Sequence, residues 1–224
     1  MPHPSSVVPG LPRRLLWVEG KDDRAVVESL CGFHDVPELF QVREQRGVTE
    51  LLRGLPLELR APDLERFGIV VDANGDVTRR WQTIRDILRN EGYERVPDHV
   101  QPEGTVITPP ARSPWFGAWI MPDNSAPGAI EEFAAALVPA DDFLWVHAAN
   151  TIDAIPEQDR RFPPLKRAKA HIHTWLAWQE APGSPMGQAI TKGDLDARAP
   201  LADAFVAWLR RLMVSEKPGA GQTP

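Results

Sequence analysis

Short, continuous apolar runs alternate along this chain with longer segments in which apolar residues return every three or four positions. The first kind of pattern predicts strands buried on both faces, the second amphipathic helices. Leu15-Leu16-Trp17-Val18 is the first run and ends in the polar turn Glu19-Gly20-Lys21-Asp22-Asp23, after which residues 24–30 read as helix. Phe40-Gln41-Val42-Arg43 is a candidate second strand, and residues 49–59, with leucines at 51, 52, 55 and 59, a second helix. Phe67-Gly68-Ile69-Val70-Val71 is the clearest strand and stops at Asp72-Ala73-Asn74-Gly75-Asp76. A helix over 77–91 follows, with Trp81, Ile84, Ile87 and Leu88 on one face and Gly92 as its stop. The proline-rich stretch 97–114 predicts a hairpin or loop around Thr105-Val106-Ile107. Residues 115–121 form a further strand ending in Pro122-Asp123-Asn124, and Pro127 stands near the first turn of a helix over 129–137. Residues 171–179 and 201–213 complete the helical set.

Strands alternating with helices predict an α/β fold, a mostly parallel sheet with helices on both faces. We expect one domain over residues 13–214, flanked by flexible tails at 1–12 and 215–224. In such sheets ligands bind beyond the carboxyl ends of the strands, so the residues just after each apolar run are the ones to examine. Three of those runs end in acid: Glu19, Asp72 and Asp123.

Carboxylates gathered at one sheet edge repel, which costs stability unless a cation neutralises them or some protonate. A hard divalent ion with oxygen ligands resolves this, and Mg²⁺ (or Mn²⁺) suits one or two carboxylates plus water and substrate phosphate. Asp22, Asp23 and Asp76 thicken the negative charge in the same turns. Acids at helix starts also cap N–H groups, and taken alone Asp22 and Asp76 are better explained that way. Glu19 and Asp72 end buried strands instead, which favours a site.

The segment Leu15 to Asp23 resembles the opening motif of the TOPRIM domain of topoisomerases, primases and overcoming-lysogenization-defect nucleases: an apolar strand, a glutamate and a glycine leading into a helix. Ile69-Val70-Val71-Asp72-Ala73-Asn74-Gly75-Asp76 resembles the second TOPRIM motif, an Asp-x-Asp after a strand. More closely, the span from about Leu15 to Met213 resembles an uncharacterised TOPRIM-like family. The match runs through Ile120-Met121-Pro122-Asp123-Asn124, the segment from Pro127 to Glu132, Ala177-Trp178-Gln179-Glu180 and Phe205-Val206-Ala207-Trp208-Leu209. The resemblance implies a Rossmann-like sheet, Glu19 as general acid/base or metal ligand, and Asp72 as the first metal-binding aspartate. It further implies Asp23 and Glu131 as metal ligands, with Asn74 and Asp76 assisting. Asn74 departs from the pattern, since an asparagine offers a carbonyl oxygen without charge.

Arg160, Arg161, Lys166, Arg167 and Lys169 form a dense basic stretch, which reads either as a solvated loop or as a phosphate-facing strip. Lys166 and Lys169 are the candidate catalytic lysines, with Lys192 a third choice. The chain carries a formal net charge of -6, which argues against binding nucleic acid by broad phosphate neutralisation and leaves a metal with a local basic strip as the positive field. The single cysteine, Cys31, excludes an internal disulfide and reads as a small apolar residue of the first helix. His171 and His173, two apart on a helix, point to different sides and do not form a ligand pair. Trp175, Trp178 and Trp208 read as core. No secretory pattern or apolar run of membrane-spanning length is present in the sequence, so a cytoplasmic protein is expected.

The expected function is metal-dependent phosphodiester processing, with a nuclease acting on DNA or RNA as the leading form. The alternative is a catalytically weak TOPRIM-like module that binds a nucleotide or a partner ATPase, as in anti-phage systems.

Overall fold

The computed structural model describes residues 13–109 and 113–215. The expected N-terminal tail, and all of the C-terminal one but Ser215, lie outside the described residues. Five strands, β1 (Arg13–Val18), β2 (Gln41–Glu44), β3 (Leu64–Asp72), β4 (Thr105–Ile107) and β5 (Trp115–Met121), form one sheet in the order β2-β1-β3-β5-β4. Every pairing is parallel except that of β4 with β5, so the 105–107 segment is the antiparallel edge strand.

The helices are α1 (Lys21–Phe33), α2 (Val48–Leu59), α3 (Val77–Asn90), α4 (Ile130–Ala135), α5 (Phe143–Asp153), α6 (Arg167–Leu176), α7 (Met186–Lys192) and α8 (Pro200–Met213). Because successive strand residues point to opposite faces, one apolar run serves two cores. Leu16, Val18, Val70, Trp119 and Met121 bury against α1, α4, α6, α7 and α8, whereas Leu15, Trp17, Phe67, Ile69, Val71 and Ile120 bury against α2 and α3. Both faces are therefore covered, as the continuous apolar runs required.

Two central-strand glycines have a steric reason. A Cβ on Gly68 or Gly117 would come within 2.8 or 2.4 Å of the Leu212 side chain, so their absence lets α8 lie directly on β3 and β5. The amino-terminal ends of the strands then hold the end of that helix. Arg66, only 1% exposed, donates from Nη1 to the Leu212 carbonyl at 2.6 Å and from Nη2 to that of Ser215. Arg14 adds a bond to the Met213 carbonyl at 2.6 Å. Cations at a helix C-terminus satisfy carbonyls left over by the helix and oppose its dipole.

Helices α5 and α7 are absent from the pattern-based reading. Helix α5 presents Phe143, Val146 and His147 to solvent, so its apolar periodicity does not mark a core face. Asp142, however, caps its N-terminus by accepting from the Leu144 and Trp145 N–H groups, and that signal was legible. Helix α7 is short and stops at Gly193, whose φ of 86° is left-handed. Trp175 and Trp208 are fully buried as expected, but Trp178 is 37% exposed. Its ring lies 5.4 Å from that of His147, which in turn stacks on Phe143. Cys31 is half-buried on α1, and burial pushes its thiol up to about 12.

Candidate functional site

After β1 the chain turns to α1 on one face of the sheet, and after the neighbouring β3 it turns to α3 on the other. Adjacent parallel strands whose connections leave in opposite directions open a crevice at their carboxyl ends. That crevice is a cleft of about 470 Å³ lined by Glu19, Asp22, Asp23, Asp72 and Glu131 together with Lys21, Lys166 and Lys169. Gly20, Gly47 and Ile130 complete the wall.

Each carboxylate is placed by the main chain around it. Glu19 follows the last residue of β1 and accepts from the Asp72 N–H at 2.8 Å, so its side chain bridges the two strand ends. A main-chain bond from Val48, at the start of α2, holds it from the other side. Burial raises its pKa, opposed by that pair of bonds and by the positive charges of Arg80 and Lys166. Asp23, in the first turn of α1, accepts from the Gly20 N–H at 3.2 Å through Oδ2. Asp72 is the last residue of β3, with a main-chain hydrogen bond from Ile130. Glu131, in the first turn of α4, is 6% exposed and pairs with Lys169 at 2.7 Å.

Two oxygens in this cleft stand out. Among the described residues, Asp23 Oδ1 and Asp72 Oδ1 are buried without a hydrogen-bond partner, although a carboxylate out of water ordinarily demands one. Burial and neighbouring like charges act on both carboxyls in the same sense. Asp72 is pushed up to about 8 by burial, then by the charges of Glu19, Asp23 and Glu131. Asp23 is pushed up to about 7 by burial and by Glu19, with Glu131 adding to it. Five carboxylates face three lysines across the cleft, an excess of two negative charges when all are ionised. Protons on the aspartates relieve part of it.

Of the residues singled out from the sequence, Glu19, Asp23, Asp72, Glu131, Lys166 and Lys169 meet at this cleft. Asn74 and Asp76 are not among its lining residues. Asn74 is exposed with φ 54°, a left-handed turn that asparagine tolerates, and its N–H bonds the Gly128 carbonyl at 2.8 Å. Its contribution is to tie the end of β3 to the turn that precedes α4 and Glu131. Asp76 caps α3 by accepting from the Arg79 N–H at 2.9 Å. Asp123, the third strand-end acid, folds back onto its own turn, accepting from the Ser125 and Ala126 N–H groups, and these bonds keep its pKa low despite partial burial. Lys192 points elsewhere and bonds Ser184 at 3.1 Å. His171 bonds Asp153 at 2.9 Å in a clamp between α5 and α6 completed by Arg167, as a structural rather than a metal-binding histidine.

Arg80 is the residue missing from the sequence reading. From the first turn of α3 its Nε donates to the Asp72 carbonyl oxygen at 2.9 Å, fixing the strand end, and its charge favours ionised Glu19. Its only sequence signal is position, eight residues after Asp72 and within a helical turn of the site.

All five cleft acids, which end or follow strands or open helices, offer oxygen donors, the chemistry of a hard cation. Among the described residues no three His, Cys, Asp or Glu side chains stand close enough together to hold a metal ion in their present rotamers. No helix among the described residues is long and apolar enough to cross a membrane. The family model "Protein of unknown function (DUF3226)" matches residues 13–214. Comparisons with curated proteins and with solved structures give no match.

Proposed function

We propose that this chain, which belongs to the DUF3226 family, binds a divalent cation, Mg²⁺ or Mn²⁺, in its strand-end cleft and uses it in phosphodiester processing, as a nuclease on DNA or RNA. The observation that carries the reading is the pair of buried, unpartnered carboxylate oxygens, Asp23 Oδ1 and Asp72 Oδ1, in a cleft with two negative charges in excess. A divalent ion supplies the missing charge and the missing partners at once. Glu19, Asp23, Asp72 and Glu131 would hold it once their side chains rotate toward one another. When bound, such an ion neutralises charge on a phosphoryl group and lowers the pKa of attached water.

The remaining chemistry belongs to the chain. Glu19 is fixed by the Asp72 and Val48 N–H groups, and burial raises its pKa against the opposing charges of Arg80 and Lys166, so it is placed to accept a proton from water at the cleft mouth. Lys166 and Lys169 line the wall and offer ammonium donors to an anionic substrate. A TOPRIM-like identity for the sheet belongs to the same proposal. It is supported by a glutamate and glycine after β1 beside an aspartate ending the next parallel strand. A cytoplasmic setting goes with it.

A second reading, a module that binds a nucleotide or a partner ATPase without cleaving, is favoured by one feature. Lys169 is engaged by Glu131 rather than free in the cleft. The test is cleavage of single- and double-stranded DNA and RNA with Mg²⁺ or Mn²⁺. Cleavage by wild type that is lost in Glu19→Gln and Asp72→Asn supports the nuclease. Cation binding without cleavage supports the module, and equal cleavage by both variants refutes the site.

A further inference from the structure

The lysine that faces the acids is itself bound in the place a cation should take. Lys169, on the first turn of α6, has its ammonium 2.7 Å from Glu131 Oε1, and Asp22 and Asp23 also act on it. Glu131 is nearly buried, whereas the Lys169 side chain is 43% exposed. The carboxylate therefore has little freedom and the lysine has much. Lys166 stands three residues earlier, at the end of a 3-10 turn over Pro164–Lys166, and acts on Glu19 across the cleft. Two positive side chains from one short segment thus neutralise acids that come from α1, α4 and the strand ends.

We propose that Lys169 is the resident counter-cation of the cleft, and that a divalent ion takes its place at Glu131 and frees its ammonium to bind an anionic phosphoryl group of the substrate. This inference rests on the divalent-cation reading above and adds an order to it: cation first, anion second. A buried carboxylate that loses its positive partner is strongly destabilised unless another cation or a proton replaces it, so Glu131 exchanges the lysine for the ion rather than standing alone. The exposed lysine stem can swing toward the cleft mouth without unfolding α6, because its own helix holds only the backbone. By linkage, each ligand then strengthens the other's binding. In the absence of the cation the same lysine is occupied, and the cleft offers less positive charge to a phosphate.

Calorimetric titration of the full chain with Mn²⁺ tests this, comparing wild type with Lys169→Met, Lys169→Gln and Lys166→Met. Removing the competitor should tighten Mn²⁺ binding about fivefold in both Lys169 variants, the scale of a part-exposed ion pair. Lys166→Met, which removes a charge but not the Glu131 contact, should tighten it less. Inorganic phosphate, titrated with and without Mg²⁺, should bind wild type more tightly with the cation, and Lys169→Met should lose about fivefold of that gain. Unchanged or weaker Mn²⁺ binding in both Lys169 variants, or a gain matched by Lys166→Met, would overturn the exchange while leaving the cation site standing. Equal phosphate gains in wild type and Lys169→Met would overturn it as well. Absence of Mn²⁺ binding in every protein would overturn the cation reading and this inference with it.

Discussion

Strand β3 begins at one solution to charge burial and ends at another. Near its start, Arg66 is buried to 1% exposure, yet it meets the α8 carbonyls of Leu212 and, beyond the helix, Ser215, and lies 5.3 Å over the Trp115 ring; only its Nε lacks a partner. At its end, Asp72 is surrounded by Glu19, Asp23 and Glu131, charges of its own sign, and one of its oxygens has no partner. The first end is complementary and stabilises the domain. The second is frustrated, and protonation and the facing lysines relieve its repulsion. Repulsion retained at one end of a strand whose other end is well satisfied is the contrast on which the proposed cation site rests.

The largest expected effect breaks the satisfied end. Arg66→Ala should cost about 3 kcal/mol, because it leaves helix-terminal carbonyls without donors and a void beside Trp115. Thermal or urea unfolding measures it, and Mn²⁺ affinity of the folded fraction should be unchanged. The opposite end should respond in the opposite sense. Asp72→Asn removes a carboxyl whose ionisation its neighbours oppose, so above about pH 8 in EDTA it should match or exceed wild type in stability by about 1 kcal/mol while losing at least tenfold in Mn²⁺ affinity.

The pH dependence sharpens the contrast. Asp23 and Asp72 hold their protons up to about 7 and 8, against 3.8 for the free carboxyl, so between those limits the folded protein binds more protons than the unfolded chain. Stability must then fall as pH rises through that window. In EDTA the melting temperature should drop by several degrees between pH 5 and pH 8.5, and saturating Mg²⁺ should flatten the decline. A cation-free melting temperature that rises over this range would show that the cleft is not frustrated.

A smaller effect separates capping from ligation. Asp76→Ala removes the α3 cap and should cost about 1 kcal/mol of stability with little change in Mn²⁺ affinity. Asn74→Asp, at an exposed left-handed position outside the cleft, should alter neither measurably.

These last residues show where the sequence was and was not readable. The buried strands were, because a sheet covered on both faces needs unbroken apolar runs: residues 115–121 match β5 at both ends. Glu19 and Asp72 were readable because a charge directly after such a run has nowhere to go but the sheet edge. Asn74, Asp76 and Asp123 share that neighbourhood in sequence, but one residue of turn geometry sends their side chains to solvent, to a helix cap and to an Asx-type turn. Arg80 and Trp178 depend on tertiary contacts between elements, and no local period encodes those. Helix α5 escaped because its outward face carries Phe143 and Val146, so it lacks the usual contrast between faces.

The central claim is that protons now occupy the charge deficit a divalent ion would fill. It is tested most directly by titrating Mn²⁺ into the protein at pH 7 in two buffers of different ionisation enthalpy. A cation site built on Asp23 and Asp72 binds Mn²⁺ with release of protons, and Asp72→Asn diminishes both the affinity and the release. Binding without proton release, or no binding at all, would contradict it.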